Sequence, residues 1–238
     1  MRRNIHSPGT PRLVGVVSSA AALAIATRLR APPDLFELRL DILRHSLGKV
    51  ANAVTRLHAP LIFTARHPAE GGAGQLTTAS RRALLERFLE RAAFIDLEVR
   101  VVRQMGSFLE QIRERQIELI LSFHDLRDTP SLSQLHRLTG RAAESGAAIF
   151  KLATRTDSAA QLERLIIFFE EANRDPLPIA AMGIGKLGRE SRRQLDRLGS
   201  ALSYGSLGQA NAEGQPSLSQ LRRDRGAYTI VQATRADA

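Results

Sequence analysis

Short apolar runs alternate with longer amphipathic segments along the chain. The apolar runs are RLVGVV, LFELRLDIL, PLIFTARH, FIDLEV, ELILSFHD, AIFKLAT, PIAAMGIG and ALSYGSL, which start near residues 12, 35, 60, 94, 118, 147, 178 and 201. Their length and their branched residues favour strands. The segments between them, such as LGKVANAVTRL and SAAQLERLIIFFEEANR, repeat apolar residues every three or four positions, as helices do. The pattern therefore predicts eight strand-helix units.

Strands that alternate with helices are typical of a parallel sheet. Eight units in a chain of 238 residues favour a (β/α)8 TIM barrel, an α/β fold that typically takes about 250 residues. An open doubly wound sheet is the alternative, but it carries a glycine-rich turn after its first strand, where this chain has VVSSAAA. GIGKLG, at 183–188, lacks the Gly-Lys-Ser/Thr ending of a P-loop. We expect a flexible arm over 1–11 and one catalytic barrel domain over 12–238.

Polar residues alternate with apolar ones in several of the predicted strands, although helices cover the outer face of a parallel barrel. The residues in the polar phase are Glu37, Arg39, Asp41, Thr64, Arg66, Asp96, Glu98, Ser122, His124 and Lys151. This phase must point into the barrel, where an unpaired charge costs several kcal/mol or more. The set is therefore either a structural ion-pair network or a ligand site at the carboxyl ends of the strands, where barrel enzymes have their active sites.

Lys151 lies in the middle of an apolar strand, although the chain has only two other lysines, Lys49 and Lys186. A lysine in an apolar pocket, or near another cation, has a lowered pKa. Its neutral amine can attack a ketone and form a Schiff base. His124, in the polar phase of the neighbouring strand, is the natural proton carrier, and Glu70 could orient its imidazole. The combination indicates a class I lyase or aldolase.

Composition narrows the range of partners. The net charge of +10 suggests an anionic partner, but the arginines are scattered among glutamates instead of clustered, and aromatic residues make up only 5% of the chain. We therefore expect a small anionic substrate and no nucleic acid. The absence of cysteine excludes disulfides, zinc-thiolate sites and cysteine nucleophiles. A strand histidine without a second one at ligand spacing argues against a metal site.

The N-terminal 31 residues have the outline of a secretory signal, with a basic start, an apolar stretch and small residues. LVGVVSS nevertheless reads as the first strand, which cleavage near Ala31 would remove. No apolar run reaches the roughly 18 to 20 residues of a membrane span. We expect a cytoplasmic protein that does not interact with membranes.

Seven motifs together resemble the type I 3-dehydroquinate dehydratases of the shikimate pathway. They are ELRLD (37–41), TARHPAEGG (64–72), DLE (96–98), SFHDL (122–126), FKLAT (150–154), MGIGKLGRESR (182–192) and EGQP (213–216). The resemblance implies a cofactor-independent elimination of water from 3-dehydroquinate, which gives 3-dehydroshikimate through an imine on Lys151. It also implies a homodimer.

The resemblance implies a role for each site residue. His124 would be the general base at C2 and then the acid for the C1 hydroxyl, while Glu70 holds and polarises it. Arg192 would pair with the substrate carboxylate, since its planar fork suits two oxygens. The other expected substrate contacts are Glu37, Arg39 and Arg66 at the ring hydroxyls and Gln215 in the loop after strand eight.

That last loop departs from the family pattern, because Asn211, Ala212 and Glu213 stand where the family has serine, alanine and proline. Asn211 can still donate and accept hydrogen bonds to the substrate. Glu213 removes a fixed φ angle and adds an anion near a carboxylate site, so we expect its side chain to point outward. Two other functions stay open at this point: another Schiff-base barrel enzyme such as an aldolase, and a basic binding module that has lost catalysis.

Overall fold

Eight strands alternate with helices in the computed structural model, which describes residues 10–225. The strands are β1 (Arg12–Val17), β2 (Leu35–Arg39), β3 (Leu61–Thr64), β4 (Phe94–Glu98), β5 (Glu118–Asp125), β6 (Ile149–Arg155), β7 (Ile179–Ile184) and β8 (Leu202–Ser206). The α-helices are α1 (Ala20–Ala26), α2 (Leu40–Leu43), α3 (Leu47–Val54), α4 (Thr78–Glu86), α5 (Gly106–Glu114), α6 (Leu132–Glu144), α7 (Ala159–Ala172) and α8 (Gly188–Arg197). Short 3-10 helices cover Arg44–Ser46, Pro68–Glu70, Leu89–Arg91 and Val99–Gln104, and a last helix runs over 218–225.

The strands form one parallel sheet that curls into a nearly closed barrel. Each strand pairs with its neighbours in sequence, and β1 pairs with both β2 and β8. β7 and β8 approach each other at their amino ends, where the Ala201 N–H donates to the Ile179 carbonyl at 2.8 Å. The Ala181 N–H donates to the Ser200 hydroxyl at 3.2 Å in the same seam. The predicted (β/α)8 barrel is confirmed, and the doubly wound alternative is excluded.

Two apolar clusters lie on the two faces of the sheet. The larger one fills the space between sheet and helices, and in β6 it takes Phe150 and Leu152. The smaller one fills the barrel interior and takes Ile149 and Ala153 from the same strand. Lys151 shares the inward phase of Ile149 and Ala153 because side chains alternate along a strand. The interior is therefore apolar toward the amino ends of the strands and charged toward their carboxyl ends.

Two segments differ from the predicted elements. LFELRLDIL was expected to be one strand with Asp41 in its polar phase, but β2 ends at Arg39 and α2 begins at Leu40. The helical turn places the Asp41 carboxylate where it accepts from the backbone N–H groups of Arg66 at 3.2 Å and Ala73 at 2.9 Å. The helix predicted over 100–116 starts as a 3-10 helix, and only Gly106–Glu114 is α-helical.

The first predicted strand and helix form as β1 and α1, so the N-terminal apolar stretch belongs to the barrel. Within residues 10–225, every helix is too short or too polar to span a membrane. Most of the expected arm, residues 1–9, lies outside the described residues, and the arm therefore stays a prediction.

A buried ion-pair network ties β3 and β4 to α4. Arg66 contacts the carboxylates of Asp96 at 2.8 Å and Glu98 at 3.1 Å, and Arg81 contacts the second oxygen of Glu98. Arg81 also donates from Nε to the Ala65 carbonyl at 2.6 Å. All four charged side chains are at most 3% exposed. The network fixes the carboxyl ends of both strands, so for Glu98 the structural interpretation of the polar phase holds.

We expect Arg81→Met to lower the free energy of unfolding by about 3–5 kcal/mol, because it leaves one Glu98 oxygen buried without its cation. Urea denaturation at neutral pH measures this change. The matched control is Arg82→Met, which removes a partly exposed ion pair with Glu86 and should cost less than about 1 kcal/mol. Equal losses in the two variants would show that the buried network contributes no more than a surface pair.

Candidate active site

A cavity of about 310 Å³ opens at the carboxyl ends of the strands. All nine predicted site residues line it: Glu37, Arg39, Arg66, Glu70, His124, Lys151, Arg192, Asn211 and Gln215. Asp41, Asp96 and Glu98, which shared the polar phase, are fully buried and lie outside this lining. The structure thus brings the predicted residues to one place and separates the polar residues that line the cavity from those that are buried behind them.

Lys151 is held by carboxylates. Its Nζ lies 3.0 Å from Glu37 Oε1 and 2.9 Å from Asp96 Oδ2. The expected apolar pocket is therefore wrong, because residues from β2 and β4 place two acceptors beside the amine. The second expectation, a neighbouring cation, agrees with the geometry, since Arg66 binds the same Asp96 oxygen at 2.8 Å. The amine is fixed in direction and only 4% of Lys151 is exposed.

Asp96 contacts more of the site's charged groups than the sequence indicated. Burial acts to raise the pKa of Asp96, but the Arg66 and Lys151 cations outweigh it and hold that pKa well below its usual range. The Ser122 hydroxyl donates to the other carboxylate oxygen at 2.6 Å. Asp96 is therefore ionised at neutral pH and serves as the shared counter-ion of two cations.

Tyr204 is a site residue that sequence reasoning missed. The centroid of its ring lies 4.1 Å from Lys151 Nζ, within the range of a cation–π contact. Its register partner in β1 is Val14, which belongs to the inner cluster. The available signal was its position in the inward phase of the last strand, opposite a predicted polar site.

Glu70 orients the imidazole of His124. One carboxylate oxygen, Oε2, accepts from the His124 backbone N–H at 2.9 Å and lies 3.1 Å from Nδ1. When Glu70 is ionised it can only accept at Nδ1, which assigns the ring proton to that nitrogen and leaves the lone pair of Nε2 free. His124 follows Ser122, the register partner of Lys151, by two residues, so both side chains point into the barrel.

Burial acts on both members of this pair. It lowers the pKa of His124 well below its usual value, and the Arg66 and Lys151 cations act in the same direction. Burial also raises the pKa of Glu70 to about 7, although Arg66 opposes it. The imidazole is therefore neutral at neutral pH and able to accept a proton.

The loop after β3 has the shape that brings Glu70 to His124. Pro68–Glu70 form a 3-10 turn that Gly71 ends at φ +84°. A Cβ at Gly72 would lie 2.0 Å from the Arg66 carbonyl, so only glycine fits this close approach. The two backbone hydrogen bonds to Asp41 hold both ends of the loop.

The other predicted substrate-binding cations differ in how they are engaged. Arg39 pairs with Asp41 at 2.9 Å and donates to the Gly71 carbonyl at 3.3 Å. Arg192, on α8, is 7% exposed, and its Nε is buried without a hydrogen-bond partner among the described residues. Burial lowers the pKa of Arg192 to about 10, which leaves the guanidinium charged at neutral pH.

The loop after β8 closes one side of the cavity. Gln215 Oε1 accepts from the Asn211 N–H at 2.8 Å, which joins the two predicted loop residues. The Glu213 side chain is 55% exposed, and its carboxylate lies 3.2 Å from the guanidinium of Arg155. Glu213 also belongs to the lining of the cavity, so its outward direction stays a prediction. Arg155, at the end of β6, also lines the cavity and was not identified from the sequence. In the described part of the chain, no group of three or more acidic or histidine side chains is arranged to hold a metal ion.

Similarity to known proteins agrees with this geometry. The model of the family described as type I 3-dehydroquinase matches residues 14–233. The chain is 35% identical over 193 residues to the 3-dehydroquinate dehydratase of Desulfotalea psychrophila, covering 79% of this chain and 84% of that protein. It is 30% identical over 228 residues to that of Methanothermobacter thermautotrophicus, covering 94% and 96%.

The crystal structure of 3-dehydroquinate dehydratase from Geobacillus kaustophilus superimposes on this chain with a TM-score of 0.82 at 26% identity, covering 94% of this chain and 91% of that one. The fold, the motifs and the similarity extend over the same residues of the barrel. This chain therefore belongs to the type I 3-dehydroquinase family and is a lyase.

Proposed function

We propose that this enzyme removes water from 3-dehydroquinate through an imine on Lys151, with His124 as the proton carrier. One observation carries the proposal: a buried amine and a neutral, carboxylate-oriented imidazole line the same cavity. A nucleophile and a base that meet at one small cavity are what an imine-dependent elimination requires.

The reaction begins when Lys151 Nζ attacks the ketone at C3 and one water leaves, which gives a protonated imine. His124 Nε2 then takes the proton from C2, and the electron pair moves to the imine nitrogen to form an enamine. The enamine expels the C1 hydroxyl, which takes the proton from the imidazolium and departs as water. Hydrolysis of the imine consumes one water, releases 3-dehydroshikimate and restores Lys151, so the net change is the loss of one water.

Glu37 and Asp96 hold the amine during these steps. Both accept from Nζ at about hydrogen-bond length, and Asp96 in turn is held by Arg66 and Ser122. A nucleophile that is already oriented loses less entropy on reaching the transition state, which lowers the activation free energy. The ring of Tyr204, whose centroid lies 4.1 Å from the amine, restricts it further.

The remaining residues of the cavity bind the substrate in this proposal. Arg192 pairs with the carboxylate, and its incompletely bonded guanidinium supports that role. Glu37, Arg39 and Arg66 bind the ring hydroxyls, and Asn211 and Gln215 contact the substrate from the loop after β8. The support is that all five residues line the cavity. A small anion is thus the partner of this basic chain, and the mechanism needs neither a cofactor nor nucleic acid. A cytoplasmic location and a homodimer are further proposals that rest on the family resemblance.

Borohydride should inactivate the enzyme only when 3-dehydroquinate is present, because the reductant converts the imine to a stable secondary amine. Mass spectrometry should then locate the added mass on Lys151. Lys151→Ala should lower kcat at least about 10³-fold while its circular dichroism spectrum is unchanged.

Lys49 provides the matched control, since it is an exposed lysine on α3. Lys49→Ala should keep full activity and full sensitivity to borohydride. Product is followed by the ultraviolet absorbance of its conjugated enone. Turnover that survives in Lys151→Ala would overturn the mechanism, and absence of both adduct and product in the unaltered enzyme would favour a binding module.

The pH dependence of kcat/KM should report Glu70. Its pKa of about 7 means that the carboxylate is protonated below neutral pH and ionised above it. Only the ionised form stabilises the imidazolium that arises when His124 takes the C2 proton. We therefore expect kcat/KM to rise with pH up to about 7 and then to level off.

Glu70→Gln should lower kcat/KM about 10- to 100-fold and remove this acidic limb from the profile. Glu171→Gln is the control, because Glu171 pairs with His136 at 2.8 Å on the surface and should leave the profile unchanged. A limb near pH 7 that persists in Glu70→Gln would assign the titration to another group.

A further inference from the structure

One ion pair fastens the loop after β8 to the end of β6. Arg155 lies 3.2 Å from the Glu213 carboxylate through Nη2 and 2.6 Å from the Asp157 carboxylate through Nε. Asp157 accepts from the Lys186 backbone N–H at 2.8 Å, so it belongs to the frame of the barrel mouth. Arg155 therefore joins a fixed carboxylate on one side to a loop carboxylate on the other.

The backbone of the loop is seated at the same place. The Gly185 N–H donates to the Glu213 carbonyl at 3.2 Å. Gly214 has φ +82°, and a Cβ there would lie 2.9 Å from the Cα of Gly188, so the loop packs directly on the start of α8. Ala212 packs against the inner apolar cluster. Glu213 is thus the point where a backbone contact and a side-chain contact of the loop coincide.

These contacts determine where two substrate-binding residues lie. Asn211 and Gln215 stand two residues before and after Glu213, and they are joined to each other by a hydrogen bond of 2.8 Å. Glutamate at position 213 does not fix φ as proline would, so the segment depends on its contacts with the rest of the barrel. Loss of the ion pair would remove the side-chain restraint on this segment and leave only its backbone and packing contacts.

We propose that Arg155 and Glu213 form a latch that holds the loop over 207–216 in its place at the cavity mouth. They are positioning residues, since they act through Asn211 and Gln215 and not on the reacting atoms. The expected effect of the latch on substrate binding rests on the proposed function. Its effect on the order of the loop does not depend on that function.

Hydrogen exchange of the 207–216 segment tests the latch without substrate. We expect exchange in this segment to be about two- to five-fold faster in Arg155→Gln and in Glu213→Gln, which matches the strength of a partly exposed ion pair. The double variant should be no faster than either single variant, because each change already breaks the same contact. Arg155→Lys keeps the charge and should retain part of the protection.

Kinetics provide the second readout. In both single variants KM for 3-dehydroquinate should rise about two- to five-fold while kcat changes less than about two-fold, since the latch affects binding and not the chemical steps. Arg82→Gln breaks the pair with Glu86 on α4 and should leave both constants unchanged.

The latch is overturned if loop exchange is unchanged in both single variants, or if the effects of the two changes multiply in the double variant. Failure of the proposed function gives a different result. An unaltered enzyme that does not convert 3-dehydroquinate rejects that function, while the exchange measurement still decides the latch.

Discussion

The site depends on one carboxylate oxygen that serves two cations. Asp96 Oδ2 lies 2.9 Å from Lys151 Nζ and 2.8 Å from the Arg66 guanidinium, and no part of Asp96 is exposed. An isolated charge in this interior would cost several kcal/mol, so each of the three groups is tolerated because the others are present. Arg66 also pairs with Glu98, and Glu98 pairs with Arg81 on α4, so these residues restrict the position of Arg66. The direction of the amine is thus set partly by residues that lie outside the cavity, Asp96, Glu98 and Arg81.

A buried ion-pair network stabilises a barrel inefficiently, because the charged groups must be removed from water. Buried ion pairs can often be replaced by well-packed apolar side chains without loss of stability. The inner cluster shows that this chain does so toward the amino ends of the strands, where Val14, Ile62 and Ile120 fill the barrel. The buried ion pairs lie toward the carboxyl ends. The same burial raises the pKa of Glu70 and lowers that of His124, so the environment that makes the network costly also gives the imidazole its neutral form.

The parts of this structure that follow a local period could be predicted from the sequence. The eight strands and the convergence of polar residues at one barrel end follow from alternation along each strand. The partners of Lys151 could not be predicted, because Glu37 and Asp96 are 114 and 55 positions away and strand register decides whether they meet. Asp41 was misplaced because a single helical turn interrupts the alternation. Arg155 and Tyr204 were missed because an arginine at the end of a strand and an aromatic residue within an apolar strand are common in barrels and do not indicate a site.

The distribution of counter-ions indicates where an anionic ligand would bind. Arg39 has Asp41, Arg66 has Asp96, and Arg155 has Glu213 as partners at 3.2 Å or less. Arg192 differs, because the only acidic residue that acts on its pKa among the described residues is Asp196. Burial raises the pKa of Asp196 to about 6, and its carboxylate accepts from the Ser203 hydroxyl at 2.7 Å. A buried guanidinium with so little compensation gains most from a new carboxylate. The cavity therefore has the Lys151 amine where charges are balanced and the weakly compensated Arg192 cation on α8, which is the arrangement that the proposed ligand, a ketone with a carboxylate, requires.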